Sequence, residues 1–452
     1  VREQERLGQE KESRFEDKER GIKLKVAIIA DPHLGAKWGT AREQDSFDQM
    51  SEAVKKALQL GAQMILILGD IFDTRIPRQE VWARAMRILA LPHAQEQSKV
   101  ELEKTIDKNM QDISPVSLRG VPIVALHGNH ERRIRGLVNP VEALEAAGLL
   151  IYLHHNVAIF KTQAGKLAIH GMGNVPERNA KDAMSIWNPK PVSGAINILM
   201  LHQAVGQYVY SGEEYPSLDL ADLPRGFDVY VDGHMHYHAE ARAHGRPLLF
   251  PGSTVRTQLL EIEAQVPKGF YMLDIGEDVS YKFVELKSVR DFHYAELKFD
   301  DATISQLEAA VRKKIQKFLD EPRKNKEKLP LVRLRLLGTL AKGSSRSDFD
   351  ENAIADEFSD RALVSIGKDE LISPGLEEKI KFLRELRERR LPVEDMAMQL
   401  LEENLRELKQ TQTFDVRELY QLLMDDHVAE ARDRVLSIVN ELVDAELKRK
   451  ER

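Results

Sequence analysis

From Lys25 onward the chain alternates short apolar runs with segments whose apolar residues recur at helical spacing. Val26-Ala27-Ile28-Ile29-Ala30, Met64-Ile65-Leu66-Ile67-Leu68 and Val121 to Leu126 have the length and character of buried strands. Ile196 to Leu201 and Phe227 to Val231 add two more. Phe47, Met50, Val54, Ala57 and Leu58 mark one helix face between the first two runs. Strands alternating with helices predict an α/β layered core. His93 to Asp112 is polar and rich in lysine and glutamate, and reads as a surface insertion. Near Asp291 the pattern shifts. Ala295 to Phe299 alternates, Ile304 to Leu319 is helix-like, and Val332-Arg333-Leu334-Arg335-Leu336 alternates again. This predicts a small α+β module with one polar face, both arginines opposite the apolar residues. From Gly375 the strand signal ends. Leu376 to Arg390 is charged and helical; Val393, Ala397, Leu400, Leu401, Leu405 and Leu408 then recur at helix spacing, as do Val428, Val435, Val439 and Leu442. The predicted divisions are a charged lead-in over 1–23, a core domain over 24–288, the α+β module over 289–374 and a helical region over 375–452. No repeat of about 20–50 residues is present.

Composition narrows the chemistry. The 452 residues allow two to four domains at about 100–200 residues each. There is no cysteine, which excludes disulfides, thiolate metal sites and a cysteine nucleophile and fits a reducing cytoplasm. No apolar run reaches the roughly 18 residues that cross a bilayer, and Val1 to Lys25 lacks an apolar signal core. The expectation is a cytoplasmic protein with no membrane association. The net charge of −7, from 66 basic and 73 acidic residues, neither supports nor opposes nucleic-acid binding, because the charge of the binding face is what matters.

Metal-ligand residue types stand just after the strands. Asp31-Pro-His33 follows the first, Gly69-Asp70 the second and Gly128-Asn129-His130-Glu131 the third. Leu201-His202-Gln203 ends the fourth, and Gly233-His234-Met235-His236 follows the fifth. Sites in open α/β sheets form at strand ends, so separate loops can bring these groups together. Carboxylate, amide oxygen and imidazole suit manganese, iron or zinc. Two ions about 3.5–4 Å apart need a bridging group, which a carboxylate supplies. Each fragment alone is an ordinary turn signal; five in order at strand ends are not. The glycines before Asp70, Asn129 and His234 fit loops that need backbone freedom and close approach.

Asp31-Pro-His-Leu-Gly, Gly69-Asp-Ile-Phe-Asp, Gly128-Asn-His-Glu, Leu201-His-Gln and Gly233-His-Met-His resemble the calcineurin-like metallophosphoesterases. Pro251-Gly-Ser-Thr-Val-Arg-Thr-Gln258 resembles the segment after the last histidines in the SbcD and meiotic-recombination-eleven nucleases. The strong resemblance covers about residues 24–285. It implies a layered metallophosphoesterase β-sandwich flanked by helices, an α+β capping domain that faces DNA, and C-terminal helices that bind a coiled-coil ABC-type ATPase of the SbcC or Rad-fifty type. It implies two divalent ions, manganese by preference. Asp31, His33, Asp70 and His236 would hold one ion. Asp70, Asn129, His202 and His234 would hold the other, with Asp70 as the bridge. His130 would stand outside the ligand shell and stabilise or protonate the leaving oxygen. The ions would acidify a water toward a pKa of about 7 and neutralise the phosphodiester for in-line attack. Many relatives carry a histidine three residues after the bridging aspartate; here it is Asp73. The activity implied is exonuclease and endonuclease cleavage of DNA, at duplex ends and on single strands, in double-strand-break repair. A homodimer near the nucleoid is implied with it. Two alternatives stand beside this: a phosphoesterase of the same fold acting on nucleotides or phosphoproteins, and a non-catalytic scaffold.

His127, His154, His155, His170, His238 and His244 read as core or surface histidines, with His238 the best candidate for a supporting role two residues beyond a ligand. Arg75, Arg78, Arg132, Arg133 and Arg135 divide evenly between phosphate contacts and solvated turns. Trp187 reads as a core anchor rather than a platform for a base.

Overall fold

The computed structural model describes residues 23–133, 136–208, 216–276, 278–373, 416–424 and 427–437. Two sheets dominate. The first takes in β1 (Leu24–Ile29), β2 (Met64–Ile67), β4 (Ile123–Ala125), β5 (Ile151–Tyr152), β12 (Gly269–Ile275) and β13 (Val279–Glu285). Its order is β13-β12-β1-β2-β4-β5. The second holds β3 (Glu101–Ile106), β6 (Asn156–Thr162), β7 (Gly165–Met172), β8 (Ala195–Leu201), β9 (Val229–Asp232), β10 (Ala239–Ala243) and β11 (Arg246–Phe250). Its order is β10-β11-β9-β8-β7-β6-β3.

The apolar runs are continuous because both faces of the central strands are buried. In β1, Val26 and Ile28 face the second sheet and join Leu66, Val124, Ile169, Ile198, Met200 and Val231 in the sandwich core. Ala27 and Ile29 face the other way. They pack with Ile65 and Ile67 under Phe47, Met50, Val54 and Ala57 of the helix Asp45–Gln59 and Val81, Ala85 and Leu89 of the helix Gln79–Leu89. The outer face of the second sheet, through Leu199, Leu201, Tyr230 and Phe250, packs on Ala180, Met184 and Phe227. Each fully buried aliphatic or Phe side chain contributes about 1.5–3 kcal/mol. The result is a sandwich of two sheets with helices on its outer faces, as the resemblance implies.

The segment read as a surface insertion is not one. Residues 101–106 form β3, which pairs antiparallel with β6 through Leu102↔Phe160 and Ile106↔Val157. It is an edge strand with outward charges, so its apolar content is too low to register as a buried run. A third, three-stranded sheet has the order β14-β15-β16, from Phe292–Ala302, Leu331–Leu340 and Leu363–Ile372. The helix Ile304–Leu319 lies between its first two strands in sequence. In β15 the alternation holds: Val332, Leu334 and Leu336 are buried, Arg333 and Arg335 half-buried.

The chain divides into two compact units. One takes in the described residues to Ala295 with 313–334 and 352–366; the other holds 296–312, 335–351 and the described residues from 367. In the latter, Val416–Met424 and residues 428–437 are helical. Leu419 and Ala431 are buried while Leu423, Val428 and Leu436 are more than half exposed. The charged lead-in to residue 22, Arg135, the segment Leu376 to Arg390, the stripe Val393 to Leu408, and Val439 and Leu442 lie outside the described residues. Among the described residues no helix is long and apolar enough to cross a membrane.

Candidate metal centre

Parallel pairing sets strand ends side by side. β1, β2 and β4 run parallel, as do β7, β8 and β9. Asp31 and His33 follow β1, Asp70 follows β2, and Asn129 and His130 follow β4 in the first sheet. His202 follows β8, and His234 and His236 follow β9 in the second. The predicted ligands therefore reach one place from both sheets.

The local backbone is unusual there. Asp31, His33, Asp70 and His234 have φ of 47°, 45°, 44° and 70°. Left-handed backbone at non-glycine residues costs about 1–3 kcal/mol each and collects at functional sites. The glycines have steric reasons. A Cβ at Gly128 would collide with Asp70 Oδ1, and one at Gly233 with the Leu68 carbonyl. Gly69 combines a φ of +94° with close approach to the His202 ring.

Asp31, Asp70, His33, His202 and His236 are buried. Asp70 Oδ2 lies 3.8 Å from His33 Nε2 and 3.5 Å from His202 Nε2. His33 Nε2 and His236 Nε2 are 3.0 Å apart. Asn129 Oδ1 is 3.1 Å from His202 Nε2 and 3.1 Å from His234 Nδ1. Ligand atoms of His33, Asp70 and His236 form one group within 4.8 Å of one another, and those of Asp31, Asp70 and His202 form another. Asp31 thus groups with His202 (Oδ1 to Nδ1, 3.5 Å) rather than with His33 and His236. Asp70 belongs to both groups.

The donor set fits cations. His202 Nδ1–H donates to the Leu68 carbonyl at 2.6 Å, so the neutral ring turns a bare Nε2 toward Asp70 and Asn129. His236 Nδ1 is 2.6 Å from Thr257 Oγ1. Hydrogen bonds of this kind at the far nitrogen orient metal-ligating histidines. Burial lowers the pKa of His202, and burial with the charge of His33 lowers that of His236; both are held in the neutral, ligating form. Burial and the neighbouring Asp70 raise the Asp31 carboxyl well above its usual range. Burial alone would raise Asp70 too, but the imidazoles of His202, His33 and His130 pull it below the ordinary range. Asp31 Oδ2 is buried with no hydrogen-bond partner. A buried carboxylate oxygen without a donor, beside bare imidazole nitrogens and a second carboxylate, is what divalent cations would satisfy.

His130 stands beside this cluster. Its amide donates to Asp70 Oδ1 at 2.9 Å and its Nδ1–H to the Asp73 carbonyl at 2.7 Å. Its ring lies edge-on to His33 at 4.8 Å. Asp73 Oδ1 is 3.3 Å from His33 Nδ1, so Asp73 holds His33 and His130 from the side. His33, Asp73 and His130 also present ligand atoms within 4.8 Å.

Several residues around the cluster gave no signal of their own. Thr257 lies in the Pro251 to Gln258 segment, but its contact with His236 has no sequence signature. Lys268, buried, donates to the His236 carbonyl and to Ser253 Oγ, and pairs with Glu263 at 2.6 Å. The remaining histidines are structural. His127 bonds Tyr152 and the Asn174 carbonyl; His154 lies edge-on to its ring, and His155 lies against His154. His170 bonds Asn197, and His244 the Leu223 carbonyl. His238 stacks on Phe283 and faces the Pro267 carbonyl. Trp187 packs on the outer core of the second sheet. Arg132 bonds Asn174, and Arg133 reaches the Arg75 carbonyl at 3.4 Å. Arg75 and Arg78 are exposed.

Residues 24–238 match the calcineurin-like phosphoesterase family. The chain is 27% identical over 300 residues to the DNA double-strand break repair protein Mre11 of Methanopyrus kandleri, covering 61% of this chain and 59% of that protein. It is 28% identical over 317 residues to the double-strand break repair protein MRE11 of Encephalitozoon cuniculi, covering 67% and 54%. With the Mre11 protein of Sulfolobus acidocaldarius it shares 23% over 333 residues, covering 70% and 76%. The match thus spans little more than half the length of the first two relatives. The fold, the ligand loops and the family match agree: the chain carries a calcineurin-like metallophosphoesterase domain.

Proposed function

We propose that this chain is a two-metal phosphodiesterase that cuts DNA during double-strand-break repair. The observation that carries the reading is Asp70, whose Oδ2 stands between His33 of one ligand group and His202 of the other. Two divalent cations, manganese by preference, would neutralise the phosphodiester oxygens and acidify a water. As the family pattern assigns them, Asp31, His33, Asp70 and His236 would hold one ion and Asp70, Asn129, His202 and His234 the other; the His202 atom near Asp31 is Nδ1, turned to the Leu68 carbonyl, not the bare Nε2. His130 acts on the substrate. Its Nδ1–H is spent on the Asp73 carbonyl, so the second proton of the imidazolium, on Nε2, is the one His130 would donate to the leaving oxygen. Burial keeps the His202 and His236 imidazoles neutral, and Leu68 and Thr257 fix their rings.

The similarity to Mre11 proteins supports DNA as substrate. On the family resemblance the reading extends to a coiled-coil ATPase partner bound through the terminal helices, a homodimer, and action as exonuclease and endonuclease close to the nucleoid. The test is to incubate the purified chain with manganese and a labelled duplex, beside a cyclic nucleotide and a phosphopeptide. Cleavage of the duplex alone is expected. Turnover of a small phosphoester without DNA cleavage would make the chain a different phosphoesterase, and no turnover of any substrate would make it a scaffold.

A further inference from the structure

We infer that Asn174 and Arg132 are positioning residues that set the spacing of the metal ligands across the two sheets. The inference rests on the ligand assignment above. That assignment takes Asn129 from the end of β4 in one sheet, and His202 and His234 from the ends of β8 and β9 in the other. Something must hold the two sheets in register at that edge, because an ion tolerates little change in the distance between its ligands.

Asn174 does this with every polar atom it has. It lies just past β7 and is buried. Its side-chain Nδ2 donates to the His202 carbonyl at 3.1 Å. Its side-chain Oδ1 accepts from Arg132 Nη1 at 2.6 Å. Its backbone amide donates to the His127 carbonyl at 2.9 Å, and its backbone carbonyl accepts from His127 Nε2 at 3.0 Å. One residue of the second sheet thus grips the loop carrying Asn129 at both ends, His127 and Arg132, and ties it to the His202 backbone. The fit is close: a Cβ on the preceding Gly173 would collide with the His127 ring. Arg132 is therefore committed to the clamp, although its place after the Gly128-Asn129-His130-Glu131 motif made a phosphate contact equally plausible.

The experiment is calorimetric titration of manganese alone into the full, metal-free chain, for Asn174→Ala, Arg132→Ala and the double variant. The expected result is about 10–100-fold weaker binding of one ion, the one at Asn129, His202 and His234, with the other ion's affinity unchanged. Melting of metal-free Arg132→Ala should stay close to wild type, which a general loss of structure would not allow. The double variant should be no worse than the stronger single variant, since both changes open the same clamp. If Asn174→Ala does not fold, Arg132→Ala, at a half-buried side chain, carries the test. Wild-type affinity at both ions would overturn the inference. So would an Arg132→Ala protein with unaltered manganese binding whose only change is a raised KM for DNA, which would return Arg132 to the phosphate. Because no substrate enters the titration, its failure is distinct from a failure to cut DNA.

Discussion

His130 is held by its amide and by Nδ1, not by the buried imidazoles around it. Its removal should therefore spare the ions. His130→Ala is expected to bind manganese normally and to cut DNA about 10²–10⁴-fold more slowly; cleavage at the wild-type rate under saturating manganese would take His130 out of the reaction. Asp70 is the opposite case. Asp70→Ala leaves both ions under-coordinated and their like charges unscreened, and metal analysis should find both sites depleted. One site fully retained would contradict the bridge. Gly128→Ala should deplete both sites as Asp70→Ala does and lower stability as well, because the new methyl group would collide with the Asp70 carboxylate and with its backbone nitrogen; the check is metal content against a melting curve. At this scale the sequence was informative where residue type and place coincide. Asp31, Asp70, Asn129 and His202 are ligand types just past apolar runs. Thr257, Asn174 and Lys268 are single polar residues in loops, and only three-dimensional contact distinguishes them from solvated ones.

β1, β2, β4, β8 and β9 were legible because burial on both faces leaves few polar positions to blur them, as in β1 and β2; β6, β7, β11 and β12, also inside the sheets, were not read. β3 and β10 were not, since each lies at a sheet edge and carries charge outward. The arginines of β15 stand where the alternation places them, opposite the buried apolar residues. Arg335 lies on the polar face, yet it pairs with Glu296 of β14 at 2.9 Å and with Glu370 of β16. Cross-strand pairing of that kind spends the charge on the sheet. Arg333 Nη1 donates to Ser365 Oγ at 2.6 Å. Arg335→Ala is accordingly expected to leave duplex affinity and its salt slope unchanged and to alter stability by about 0.5 kcal/mol or less. A salt slope reduced by about one would restore Arg335 to the DNA path.

For the whole molecule, two kinds of information divide along the chain. The phosphoesterase domain could be read from strands and ligands. The terminal region rests on amphipathic spacing and on resemblance alone, and most of it lies outside the described residues. Truncation after Arg390 should leave a folded, manganese-dependent nuclease that no longer co-purifies with the ATPase; unchanged ATPase affinity would place the partner's site elsewhere. The left-handed backbone at Asp31, His33, Asp70 and His234 bears on the molecule in another way. A fold that keeps four such residues is less stable than its sequence could make it, and selection for activity opposes selection for durability at those positions. His234 is the most accessible of the four. In metal-free protein, His234→Gly should melt higher than wild type, by about 2–4 °C for each kcal/mol of strain relieved, while losing activity. An ancestor or relative freed from catalysis would be expected to drift toward glycine there and to become the more heat-resistant protein.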